Sequence, residues 1–210
     1  MNRLLGGLKM SWLKVILFAA IAGVYTGIVM TIPFLKDTSF QDIGVMYEWW
    51  VVFAVVIVVN CSKSREAMLK CFVFFLISQP LVYLTEILIG TLDLDQAWRY
   101  YSNIWFPMTL LTLPGGFIAY FCKKQNVLGA IILGLGNTIL AALSMFYFGR
   151  AIMSFPSHLL SGLFCIAAIV VMSLCVQKKA ANRVIAMIVP VVLAVAILVL
   201  AKLTGRVIIY

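Results

Sequence analysis

FLISQPLVYLTEIL (Phe75–Leu88) sits inside the apolar run Ala67–Gly90, yet it carries a glutamine, a proline and a glutamate. About 20 predominantly apolar residues cross bilayer hydrocarbon as a helix, so the run is long enough to span. Pro80 cannot donate to the carbonyl of Leu76, which leaves an acceptor free at depth. Gln79, Tyr83 and Glu86 follow i, i+4, i+7 spacing and share one helix face. Lipid offers none of these groups a hydrogen bond. That face is therefore expected to turn toward other helices.

Composition agrees. The 210 residues are 64% hydrophobic and 11% charged, whereas a soluble domain is about half apolar and about a quarter charged. A single integral membrane domain covering 1–210 is expected, with no separate soluble domain. The net charge is +9, but the basic residues are scattered in small groups between apolar runs. They form no broad basic face, so nucleic acid is not an expected partner.

Seven runs have membrane-spanning length: roughly Trp12–Phe34, Gly44–Cys61, Ala67–Gly90, Ser102–Cys122, Val127–Phe148, Ser157–Gln177 and Val184–Leu203. The fold class read from them is all-α, a polytopic transmembrane bundle in the cell membrane. The N-terminal stretch resembles a signal sequence, with Arg3, Lys9 and Lys14 before an apolar core. Its apolar run is too long for a signal core, and it reads as an uncleaved first span. Alternate loops collect 11 of the 16 basic residues on one side, which predicts a cytoplasmic N-terminus and an external C-terminus. Six of the seven acidic residues (Asp37, Asp42, Glu48, Glu86, Asp93 and Asp95) then fall on the outer half. Tyr47, Trp49, Trp50, Trp98, Tyr100, Tyr101 and Trp105 read as an interfacial belt or as an aromatic, acidic mouth. Four of the five cysteines lie at inner helix ends, which implies no disulfide framework. No metal or cofactor motif occurs, and the sequence has a single histidine.

The remaining polar residues at depth extend the inward face. The fourth span holds Pro107, Pro114, Gly115 and Gly116, with Thr109, Thr112 and Gly116 as a polar and small stripe. It is either a kink fitted to its neighbours or a broken helix that binds solute. The fifth centres on Asn137, an interhelical link or a binding group, within small-residue seams through Gly134. The first places Ala19, Gly23 and Gly27 at four-residue spacing, with Tyr25 and Thr26 near its middle. In the sixth, Ser154 reads as an N-cap and Pro156 as the first turn, with Ser157, Ser161 and Cys165 on one face beside His158. The second and seventh spans are almost purely apolar and are expected at the bundle edge.

Together these residues predict an outward-opening cavity. Gln79, Thr112, Asn137, Tyr25 and Thr26 would form its neutral floor, and Glu86, Asn103, Arg150 and His158 its charged upper rim; Tyr83, on the Gln79 face, and Thr109, on the Thr112 stripe, complete the expected substrate-binding residues. The expected function is a transporter or membrane-embedded, solute-binding permease subunit for a small neutral or cationic organic molecule. The first-span stripe and the compact size resemble the layout of the membrane-embedded binding subunits of energy-coupling-factor importers, which more often have six spans. That resemblance implies partner membrane subunits; a homo-oligomer is the other possibility. Two alternatives remain open: a non-catalytic scaffold, and an intramembrane enzyme using His158 and Glu86 as acid and base. The segment SFPSH (154–158) resembles part of the Pro-Ser-Gly-His segment of lipid phosphatases but lacks its glycine and a second histidine.

Overall fold

Apolar runs punctuated by caps and polar loops give a helical chain. The computed structural model describes residues 5–45 and 47–203, and among them there is no strand. The helices are α1 (Trp12–Thr31), α2 (Ser39–Val45), α3 (Tyr47–Val59), α4 (Ser64–Ile89), α5 (Leu94–Tyr100), α6 (Phe106–Ala119), α7 (Val127–Met153), α8 (Leu159–Val176) and α9 (Ala180–Leu203). Seven segments are long and apolar enough to cross a membrane, α2 with α3 making one and α5 with α6 another. The expected number of spans is thus found.

The bundle has two packed groups joined by α3. On one side α4 lies between α1 and α6; on the other α7 lies between α8 and α9. α3 packs against α4, α6, α7 and α8. This corrects the expected edge position of the second span: Trp50, Ile57, Val58 and Val59 are buried. Its apolar character reflects burial on all sides rather than contact with lipid. α9 packs on α7 and α8 alone among the major contacts and leaves much of its surface exposed, as expected of an edge helix.

The first-span stripe makes the closest helix crossing. A Cβ on Gly23 would stand 2.5 Å from the Ser78 carbonyl oxygen, and one on Gly27 2.6 Å from the Thr85 Cβ. These pairings set α1 and α4 parallel and bring their backbones together through small residues. At the end bearing the basic loops, side chains tie the connections down. The Asn60 amide donates to the Leu5 carbonyl at 2.7 Å and accepts from the Leu8 N–H at 2.9 Å. Lys70, counted from sequence among the loop charges, is buried, pairs with Glu66 at 2.5 Å and donates to the Met10 carbonyl.

Proline does not break the long helices. α4 runs through Pro80 and α6 through Pro114. The fourth span is irregular elsewhere, with a π-helical turn at Tyr101–Trp105 and a 3-10 turn at Tyr120–Lys123. Of the two readings of Pro114-Gly-Gly, the broken helix is therefore not found. The sixth span also differs from its expected start. Ser154 closes α7, and α8 begins at Leu159 after His158, whose φ is 65°.

Candidate functional site

One group of buried polar residues gathers on α2, α3, α7 and the start of α8. α2 begins earlier than the predicted second span because Thr38 and Gln41 form a capping pair. The Gln41 N–H donates to Thr38 Oγ1 at 3.4 Å, and the Gln41 side chain accepts from the Asp37 N–H at 3.2 Å. With the helix starting at Ser39, Asp42 moves into the first turn and Glu48 falls beside the middle of the Ser39–Val59 segment. Neither belongs to an exposed acidic mouth: Asp42 is 4% exposed and Glu48 0%.

Asp42 is bound by two residues of α8. Its Oδ2 stands 2.6 Å from His158 Nδ1 and 2.7 Å from Ser161 Oγ. The Ser161 hydroxyl donates to that oxygen, and His158 Nδ1 stands within hydrogen-bond distance of it. His158 is 2% exposed and occupies the N-cap position of α8 in the left-handed region. That conformation costs a non-glycine residue about 1 kcal/mol or more, and the bond to Asp42 helps hold it. The His158 ring also lies nearly parallel to Tyr147, with centroids 6.1 Å apart.

Tyr147 connects this pair to a second carboxylate. Its side chain neighbours Glu48, and Cys165 Sγ lies 3.9 Å from Glu48 Oε1. Cys165 is one turn beyond Ser161 on the same face, as the sequence spacing predicted. Glu48 Oε2 has no hydrogen-bond partner. Among the described residues the ion pairs are Lys70–Glu66 and His158–Asp42, so Glu48 has no cationic partner. Aromatic rings pack on the adjoining α3 positions: Trp49 stacks on Phe53 and meets Phe164 at 5.0 Å, while Trp50 contacts Phe53, Phe74 and Phe75. Trp49 and Trp50 are thus part of this packed aromatic cluster, not of an interfacial belt; Trp98 and Tyr100 remain exposed.

The residues singled out from sequence divide between places. Gln79, Glu86 and Thr109 are buried, with Gln79 Nε2, Glu86 Oε1 and Thr109 Oγ1 unpartnered. Gly116 packs on Ala67, Met68 and Cys71. Counting outward along the antiparallel pair brings Thr109 and Gln79 to within about one helical turn of the same level. Thr112 instead bonds back to its own helix, its hydroxyl donating to the Thr109 carbonyl at 2.6 Å. Tyr83 is half-buried on the same helix as Gln79. Asn137 is 0% exposed on α7, and both atoms of its amide group lack partners. Tyr25 is 54% exposed and points away from the bundle interior, which removes it from the expected cavity. His158 pairs with Asp42 rather than Glu86, so the proposed acid–base pair is not formed.

A groove of about 540 Å³ opens between the segment before α1 and the α3–α4 connection, lined by Met10, Trp12, Asn60, Cys61, Glu66 and Lys70 among others. It includes neither Gln79 nor Thr112. Among the described residues no three His, Cys, Asp or Glu side chains converge as metal ligands.

The fold and site together define, among the described residues, an all-helical bundle of membrane-spanning proportions with three buried carboxylates, Asp42, Glu48 and Glu86. No family model, curated protein or solved structure matches the chain.

Proposed function

We propose that the chain is a small multi-pass cell-membrane transport protein whose cargo is a small organic cation, with its N-terminus cytoplasmic and its C-terminus external. The observation that carries this reading is Glu48: a fully buried carboxylate, near the middle of a span-length segment, with one oxygen unpartnered and no cationic side chain against it. Ionisable groups inside a membrane are costly and mark ion or substrate paths. Aromatic rings at the adjoining positions suit a cation's charge and its apolar body. The loop-charge bias supports the orientation.

The competing classes have less support. The small-residue stripes of a scaffold would await partner helices, but Gly23 and Gly27 are used against α4, and Gly134 against Val189 and Pro190. The intramembrane enzyme would need His158 and Glu86 to converge as acid and base; His158 stands against Asp42 instead.

The test is binding of tetraphenylphosphonium, a permanent organic cation, to the purified full chain in detergent. Saturable binding with a rise in melting temperature is expected, and both are expected to fall at least about tenfold in affinity for Glu48→Gln, a loss of about 1.4 kcal/mol. Equal binding by the variant would refute the site.

A further inference from the structure

We propose that Glu48 is an exchange site at which a proton and the organic cation replace one another, so that cargo movement is coupled to protons. This rests on the reading of Glu48 as the cargo site. A carboxylate at zero exposure with no cationic side chain in contact needs a positive counterpart. A proton on Glu48 and a bound cation supply the same charge at the same place, so each competes with the other. Loading the cation therefore breaks the Glu48 O–H bond and sends that proton to water; unloading restores it. No other reactant is required.

The surroundings provide the connection. The groups facing Glu48 are Tyr147 from α7, Cys165 from α8 and Asp42 from α2. His158 of α8 reaches it indirectly, through Asp42 and Tyr147. α4 offers Cys71, which lies beside the Ala54 carbonyl further along α3, and the turn after α6 offers Lys123, which binds the Cys61 carbonyl at the far end of α3. Tyr147 joins the two carboxylate sites: its side chain neighbours Glu48 and its ring lies nearly parallel to that of His158. Asp42 and His158 thus stand between Glu48 and the end of the bundle where α2 and α8 begin. They are placed to pass the released proton outward.

The full chain in weakly buffered detergent is titrated with tetraphenylphosphonium while released protons are counted. Release of about one proton per bound cation is expected, with affinity weakening about tenfold per pH unit on acidification while Glu48 titrates. Glu48→Gln should release none. Glu48→Asp keeps a carboxyl group and should retain release, which keeps the test decisive if the glutamine variant does not fold. The single histidine gives one NMR signal to confirm that each variant holds its fold. Binding without proton release overturns the exchange and leaves the cargo site standing. Release that persists in Glu48→Gln, or is lost in a folded Glu48→Asp, also overturns it. No binding to the native chain at any pH overturns the cargo reading and the exchange together.

Discussion

Asp42 and His158 are 116 residues apart in the chain, yet their side chains meet at 2.6 Å inside the bundle. The contact pins α2 to the start of α8, and Ser161 adds a second bond to the same oxygen. Asp42→Ala leaves a buried imidazole and a buried hydroxyl unpaired, and is expected to cost about 3 kcal/mol. Asp42→Asn keeps an acceptor and should cost less. Thermal unfolding in detergent gives the order. Equal stability of the alanine variant and the native chain would contradict the pairing.

The α1–α4 crossing predicts a contrast between glycines. Gly23→Ala forces a Cβ toward the Ser78 carbonyl at 2.5 Å and should destabilise the fold by about 1–3 kcal/mol. Gly136 lies within α7 with open space around its Cβ position. Gly136→Ala should be neutral, or more stable by up to about 1 kcal/mol. Similar melting temperatures for the two variants would contradict the crossing.

Much of this architecture was legible in the residues. The seven runs are long and uninterrupted, and the Ala19, Gly23, Gly27 spacing marks a helix contact whoever the partner is. The acidic site was not. Asp42 fell outside the second span because that span was started near Gly44, and Glu48, four residues inside it, was assigned to the outer mouth. The Thr38–Gln41 capping pair, visible in the sequence, places the start at Ser39, which brings Asp42 into the segment and sets Glu48 near its middle. The partner of His158 was beyond reach, since helix order around a bundle does not follow from hydropathy. The inward face around Pro80 was legible, since Gln79 and Glu86 are buried, whereas a kink and a broken helix at Pro114 could not be told apart from sequence, because neighbouring helices can hold a proline-containing helix in line.

Asn137 predicts a test of what its buried amide is for. With both polar atoms unpartnered at 0% exposure, the fold gains nothing from them. Asn137→Leu should leave stability unchanged or raise it by about 1–3 kcal/mol. A clear loss of stability would show that the amide is hydrogen-bonded in the folded protein.

Cys61 lies in the short connection between α3 and α4, outside the spans. Burial, its largest influence, pushes its thiol up to about 11. The thiolate is the reactive form, so iodoacetamide near neutral pH should leave Cys61 unmodified in the folded chain. After denaturation it should react readily. Peptide mass spectrometry reads both, and rapid modification of the native chain would contradict the burial.

The central claim is that Glu48 takes a cation within the bundle, and uptake tests it most directly. Proteoliposomes containing the native chain should accumulate tetraphenylphosphonium faster than protein-free vesicles held at the same membrane potential. Glu48→Gln, inserted to the same level, should fall to the protein-free rate. Uptake by Glu48→Gln at the native rate would contradict the account.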